Sequence, residues 1–259
     1  RGLGDVYKRQ GLASVRVVYQ DIASNAGIEV TSVTDSSEVT IDTTAPTLVS
    51  VTIVSSNAAD TTKANVGDTI TLSIVASERI MTPAVKIAGN AAAVSGSDAN
   101  YTAVYTIANA ALVGEGTVGL SISFQDRASN VGVTQTQVTD TSFVVIDKTP
   151  PTLSQVSITS SNAADSTKAN IGDTITVSIT ASEAITTPTV KMAAQDSDSV
   201  TAVAGTNSRS FVGALTLTSS FGGSEGTCSV AVTFQDLASN AGVTPVSYTH
   251  LTLPTMFEV

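Results

Sequence analysis

At 259 residues and 42% hydrophobic, the chain is long enough for about two domains and apolar enough to fold. Its net charge of −10 disfavours nucleic acid, which needs a basic face, and is compatible with divalent cations and with solubility outside a cell. One cysteine excludes an intrachain disulfide, and no apolar run approaches the ~18 residues of a membrane span.

Aromatics are scarce at 4%, and Gly and Pro punctuate short runs rich in Val, Ile and Thr, which is the composition of an all-β protein. In chain order, residues 1–10 fit no pattern. Residues 11–42 contain "YQDIASNAG" (19–27) and correspond to the last two strands of a repeat. Residues 43–147 form a complete repeat. Its seven expected strands lie at about 47–54, 69–76, 83–89, 91–96, 100–108, 117–125 and 134–147. The alternation is plain in "TITLSIVA", where Ile70, Leu72, Ile74 and Ala76 share one face. Val118, Leu120, Ile122 and Phe124 do the same later on.

Residues 148–245 repeat the pattern. "PTLVSVTIVSSNAADTTKANVGDTITLSIVASE" (46–78) returns as "PTLSQVSITSSNAADSTKANIGDTITVSITASE" (151–183), 105 residues on. "FQDRASNVG" (124–132) returns as "FQDLASNAG" (234–242), and the linker "IDTTAPTL" (41–48) as "IDKTPPTL" (146–153). A period of this length suits a whole small sandwich rather than a solenoid unit. The expectation is an all-β chain of tandem seven-stranded immunoglobulin-like β-sandwiches of Greek-key type, strung like beads. The antibody-type Cys…Trp…Cys core is absent. The C-terminal repeat stops at the start of its last strand, so an unpaired edge and strand exchange are expected.

The two ends carry a different signal. Residues 5–10, "DVYKRQ", back-translate to a DNA whose reverse complement encodes Val-Ser-Tyr-Thr-His, which is residues 246–250. One short DNA read on opposite strands resembles a transposon-end sequencing adapter. Residues 1–10 and 246–255 are therefore set aside as adapter-derived, and 256–259 with them as the tail that follows, although the alternation of Val246, Tyr248 and His250 is compatible with a strand in the place of the missing one. "MFEV" (256–259) has no account. The exclusion removes His250, the sole histidine, and leaves residues 11–245 with nine basic and twenty acidic residues.

The ordered set of "DTTAPTL"/"DKTPPTL", "NVGDTI"/"NIGDTI", "ASE" and "FQDRASNVG" resembles the bacterial immunoglobulin-like repeats of large surface adhesins. The resemblance covers all but the two ends. It implies an extracellular, non-enzymatic stalk module at the bacterial cell surface, with neighbouring repeats in the same chain as partners and calcium rigidifying the junctions. Host or biofilm glycans and proteins are further partners it implies.

In a seven-stranded sandwich the linker, the loop after the second strand and the loop after the sixth all lie at one end. They carry Asp42, Glu78 and Asp126 in the middle repeat, and Asp147, Glu183 and Asp236 in the next. Glu115, and Asp60 or Asp68, lie at the opposite end of the middle repeat, where Glu115 and one of the two aspartates are expected to meet Asp147, Glu183 and Asp236 across the junction. Converging carboxylates suit a hard cation such as calcium, which takes six to eight oxygens, with Asn130 or Asn240 adding one. The competing reading makes "QDxASNxG" a tight turn in which Asp and Asn bond their own backbone.

Other candidates read as structural. Cys228 takes the place of Val118 on an inward face. Lys86 and Lys191 fall at matching outward positions, although an isopeptide bond is conceivable there. "NYT" (100–102) fits a glycan acceptor but lies in an expected strand. With no histidine in residues 11–245, Ser-His and Cys-His catalysis and zinc sites are excluded, and no phosphate loop is present. The chain is expected to be no enzyme. The divergent stretch 195–210 leaves open a glycan- or protein-binding module, and an accessory domain of a secreted hydrolase is the remaining alternative.

Overall fold

The computed structural model describes residues 11–219 and 226–242, together with the backbone of Tyr248–Leu253. Among these, one compact unit comprises residues 11–53, Thr71–Tyr105 and Gly119–Ser142, and the other Val54–Ile70, Thr106–Val118 and the residues from Phe143 onward. The division cuts across the middle repeat. Each linker with its neighbouring loops therefore lies within a single unit.

The C-terminal repeat, inside the second unit, is a two-sheet sandwich. One sheet runs Leu153–Ser160, Thr174–Ala181, Ser210–Thr216, Ser199–Ala202, and the other Gln195–Asp196, Thr189–Met192, Gly226–Thr233, Tyr248–Leu253. All these pairings are antiparallel. The first, second, fifth and fourth strands share one sheet and the third, sixth and last share the other, which is the immunoglobulin-like arrangement. Period-two patterning sets the core: Ile175, Val177 and Ile179, with Phe211 of the same sheet, face Val190, Met192, Cys228, Val230, Val232 and Phe234, all buried. Register keeps the faces aligned, with Ile179 opposite Phe211 and Val156.

The middle repeat has the same first sheet, in the order Leu48–Ser55, Thr69–Ala76, Asn100–Thr106, Ala93–Ser97. Within the first unit, Ala84–Ile87 pairs with Leu120–Ser123, placing Ile122 opposite Val85, and with Asn90–Ala91. The continuous last strand expected at 134–147 does not form. Gln135 makes a single bridge to Ile122. Beyond it, Thr139 Oγ1 accepts from the Val51 amide at 2.8 Å, and Ser142 Oγ accepts from that of Ile53 at 3.0 Å. Two hydroxyls thus replace ladder carbonyls, and Asp140 closes a local turn by accepting from Ser142. In the second unit, Val145–Ile146 pairs parallel to Lys63–Ala64 and antiparallel to Gly116–Thr117.

The open edge expected beside the sixth strand of the C-terminal repeat is filled in this chain. Tyr248–Leu253 pairs with Gly226–Thr233, with one register shift between Thr227 and Ser229. Backbone pairing needs donors and acceptors in register and little sequence identity, so an alternating segment suffices. The expectation for 254–259 lies outside the described residues.

Residues 11–42 form a long hairpin closed by Gly11–Leu12 against Thr40–Ile41, with bridges Val17↔Val30 and Gln20↔Ala26. Arg16 donates to both carboxylate oxygens of Glu29, at 2.7 and 2.9 Å. Its apolar side is bare: Val17 is 47% and Tyr19 54% exposed, where their copies Ile122 and Phe124 are 0% and 6%.

Candidate metal centres at the repeat junctions

The turn that carries the third carboxylate is built the same way three times. In 234–242 the Asp236 carboxylate accepts from the Asn240 amide and from Asn240 Nδ2, each at 2.8 Å. Asn130 binds Asp126 with the same two bonds, and Asn25 binds Asp21 likewise. Ser239, Ser129 and Ser24 take the left-handed conformation, with φ of 68°, 71° and 67°. Asp126 and Asp236 are each 1% exposed. Burial pushes the Asp126 carboxyl up, but donation from the Asn130 side chain and amide, and from the amides of Ala128 and Ser129, outweighs it and leaves a net lowering.

The asparagines in turn address the linkers. Asn240 Nδ2 donates to the Asp147 carbonyl at 3.0 Å, and Asn130 Nδ2 to that of Asp42 at 3.2 Å. Asp147 is fixed from its other side by its amide, which donates to the Ala64 carbonyl at 3.0 Å. Glu78 and Glu183 follow the strands Thr69–Ala76 and Thr174–Ala181 by two residues. The result is a pair of matching clusters. Carboxylate oxygens of Asp42, Glu78 and Asp126 lie within 4.8 Å of one another, and so do those of Asp147, Glu183 and Asp236.

The second cluster is electrostatically loaded. Burial raises the Glu183 carboxyl, and the charges of Asp147 and Asp236 raise it further, while Lys63 and Arg209 act in the opposite sense. The donor set is all carboxylate oxygen, the chemistry of a hard divalent cation. Three carboxylates offer up to six oxygens against the six to eight that calcium takes.

Glu115 does not join the cluster. Its Oε1 accepts from the Lys148 amide at 2.8 Å and from Thr149 Oγ1 at 2.9 Å, so it holds the linker backbone. Donation from Lys148 and then from Thr149 lowers its carboxyl. Asp60 and Asp68 serve their own loop, accepting from Thr62 and Asn65. Asn130 and Asn240 spend their amide nitrogens on aspartate and linker. The turn reading and the convergence of carboxylates therefore hold at the same residues. Lys191 pairs with Asp196 at 3.1 Å on the surface.

The sequence does not reveal the contacts that join the loop 55–65 to the next repeat. Asn57, buried to 2%, donates from Nδ2 to the Leu237 carbonyl at 3.1 Å. Asn65 Nδ2 donates to Asn240 Oδ1. Both asparagines lie in the repeated string "SNAAD…KAN", which is the only mark they leave.

No protein-family model and no curated protein matches the chain. Solved structures do. It is similar to the fibronectin(III)-like modules of Clostridium thermocellum CbhA, at 12% identity and TM-score 0.34, over 78% of this chain and 93% of that one. A three-domain stretch of titin, I67–I69, matches at 9% identity and TM-score 0.42, over 83% of this chain and 66% of that one. Rst D1-D2 matches at 11% identity and TM-score 0.33, over 82% and 100%.

Proposed function

We propose that the chain is a structural spacer: tandem immunoglobulin-like modules of a secreted or cell-surface bacterial adhesin, whose junctions are stiffened by calcium. One observation carries this reading. Linker, second-strand and sixth-strand carboxylates converge twice, at matching positions of two repeats. A single active site has no reason to recur with the repeat period, whereas a joint in a stalk does. Asp42, Glu78 and Asp126 would hold one ion, and Asp147, Glu183 and Asp236 the other. A bound ion supplies positive charge that cancels the mutual repulsion of the carboxylates. It thereby ties the linker to two loops of the repeat that follows.

No helix among the described residues is long and apolar enough to cross a membrane. The divergent stretch 195–210 supplies the short strands Gln195–Asp196 and Ser199–Ala202 and a turn at 203–209 that leads into Ser210–Thr216. The same reading takes residues 1–10 and 246–255 as adapter-derived and foreign to the repeat.

The test is thermal unfolding with calcium and then with chelator. Binding to the folded state alone adds about 2.7 kcal/mol per site at 100 times the Kd. A rise in Tm with calcium, absent with sodium at equal ionic strength, is the expected outcome. Superimposable curves would sink the proposal.

A further inference from the structure

The contacts of Asn57 and Asn65 have exact sequence copies that make no such contact among the described residues. Asn162 and Asn170 stand 105 residues on, in the same "SNAAD…KAN" string. Their turns are built alike. Asn57 Oδ1 accepts from the Ala59 amide at 2.9 Å, and Asn162 Oδ1 from that of Ala164 at 3.0 Å. Both asparagine amides donate to the serine hydroxyl two residues before, at 3.2 Å. The side chain is therefore held by its own turn, leaving Nδ2 to face outward. In the first copy that group reaches Leu237, and Asn65 reaches Asn240. In the second, Asn162 is only half-buried, and Lys168 and Asn170 are exposed, where Lys63 and Asn65 are half-buried.

The turn that receives these bonds shows the reverse difference. Ala238 and Asn240, in the turn to which Asn57 and Asn65 bond, are buried, with only 1% and 6% exposed. Their copy Ala128 is exposed and Asn130 half-buried.

We propose that the loop face formed by residues 160–173 is a docking surface for one further repeat of this type. Asn162 Nδ2 would donate to the carbonyl at the fourth position of that repeat's "FQDLASNAG" turn, and Asn170 to its asparagine. Lys168 would then stand where Lys63 stands, close enough to act on the incoming repeat's glutamate. This rests on the spacer reading, and it holds or fails without calcium.

The chain can be extended in register, because Gly132 and Gly242 are equivalent. Residues 1–242 followed by residues 133–259 add one repeat and its linker. Asn57→Asp, Asn162→Asp and Asn170→Asp keep the oxygen that closes each turn and replace the donor with a negative charge, so each variant reads both the lost bond and the burial of that position by a neighbouring repeat. In the present chain, with chelator throughout, Asn57→Asp is expected to lower Tm by about 4 °C, and Asn162→Asp and Asn170→Asp to leave it unchanged. In the extended chain, Asn162→Asp and Asn170→Asp are expected to lower Tm as Asn57→Asp does. Hydrogen exchange at the added turn gives a second measure, with faster exchange in the same two variants. Silence of both in the extended chain overturns the proposal, and so does an equal effect in both chains. A calcium-independent melt with these effects intact would sink the metal reading alone.

Discussion

The ring of Phe124 lies across Gly132, and that of Phe234 across Gly242. A Cβ built on either glycine would stand 2.2 Å from ring carbon Cε2. The turn of each repeat thus closes on its own aromatic, which is why the string runs from Phe to Gly. Gly242→Ala is expected to destabilise by about 1–3 kcal/mol in urea unfolding, as overpacking does, and Phe234→Leu in the same chain to recover part of the loss. The serine three residues before each glycine holds φ near 70° without being glycine. Ser129→Gly should therefore stabilise by up to about 1 kcal/mol in the same assay. Glu183 offers a test with a sign. Its carboxyl is raised by burial and by Asp147 and Asp236, so without metal the folded state holds this proton more tightly than the unfolded chain. Stability is then lost as pH rises from the unfolded value through the folded one. Glu183→Gln is expected to raise Tm in chelator and to abolish the calcium-dependent rise. A fall in Tm in chelator would show that the cluster is not strained by its own charge.

Among the elements, the strands at Thr69–Ala76 and Thr174–Ala181 were legible because each keeps one apolar face for eight residues. The last segment of the middle repeat was not. Its backbone partners are a hydroxyl of Thr139 and one of Ser142, reaching strands nearly 90 residues away. A run such as "QVTDTSF" gives no sign that its side chains, rather than its carbonyls, will take those amides. Thr139→Val removes the acceptor from the amide of Val51, which is 0% exposed. An orphaned buried donor costs about 1–3 kcal/mol, and that loss is expected in chemical denaturation. Thr139→Ser, which keeps the hydroxyl, is expected to stay within about 0.5 kcal/mol of the parent.

Over the whole chain, the two carboxylate clusters could be read in advance because a sandwich sends its linker and alternate loops to one end. Glu115 was assigned to the same cluster on position alone. Position in a loop does not fix which way a side chain turns, and two donors on the linker hold this one. The asparagine contacts were out of reach for a different reason. Asn57 and Leu237 are 180 residues apart, and only a structure brings them together. The parallel pairing of Lys63–Ala64 with Val145–Ile146 has a consequence for a stalk under load. Tension arriving from the linker at residue 43 pulls one strand backward, and tension leaving at Asp147 pulls the other forward. Parallel strands dragged in opposite directions slide past each other, so the bonds from Val145 to Thr62 and from Asp147 to Ala64 are strained together instead of opening in turn. A force-extension trace of the chain held by its ends should show an abrupt rupture for the middle repeat. Cutting this pairing with Val145→Pro should lower the rupture force.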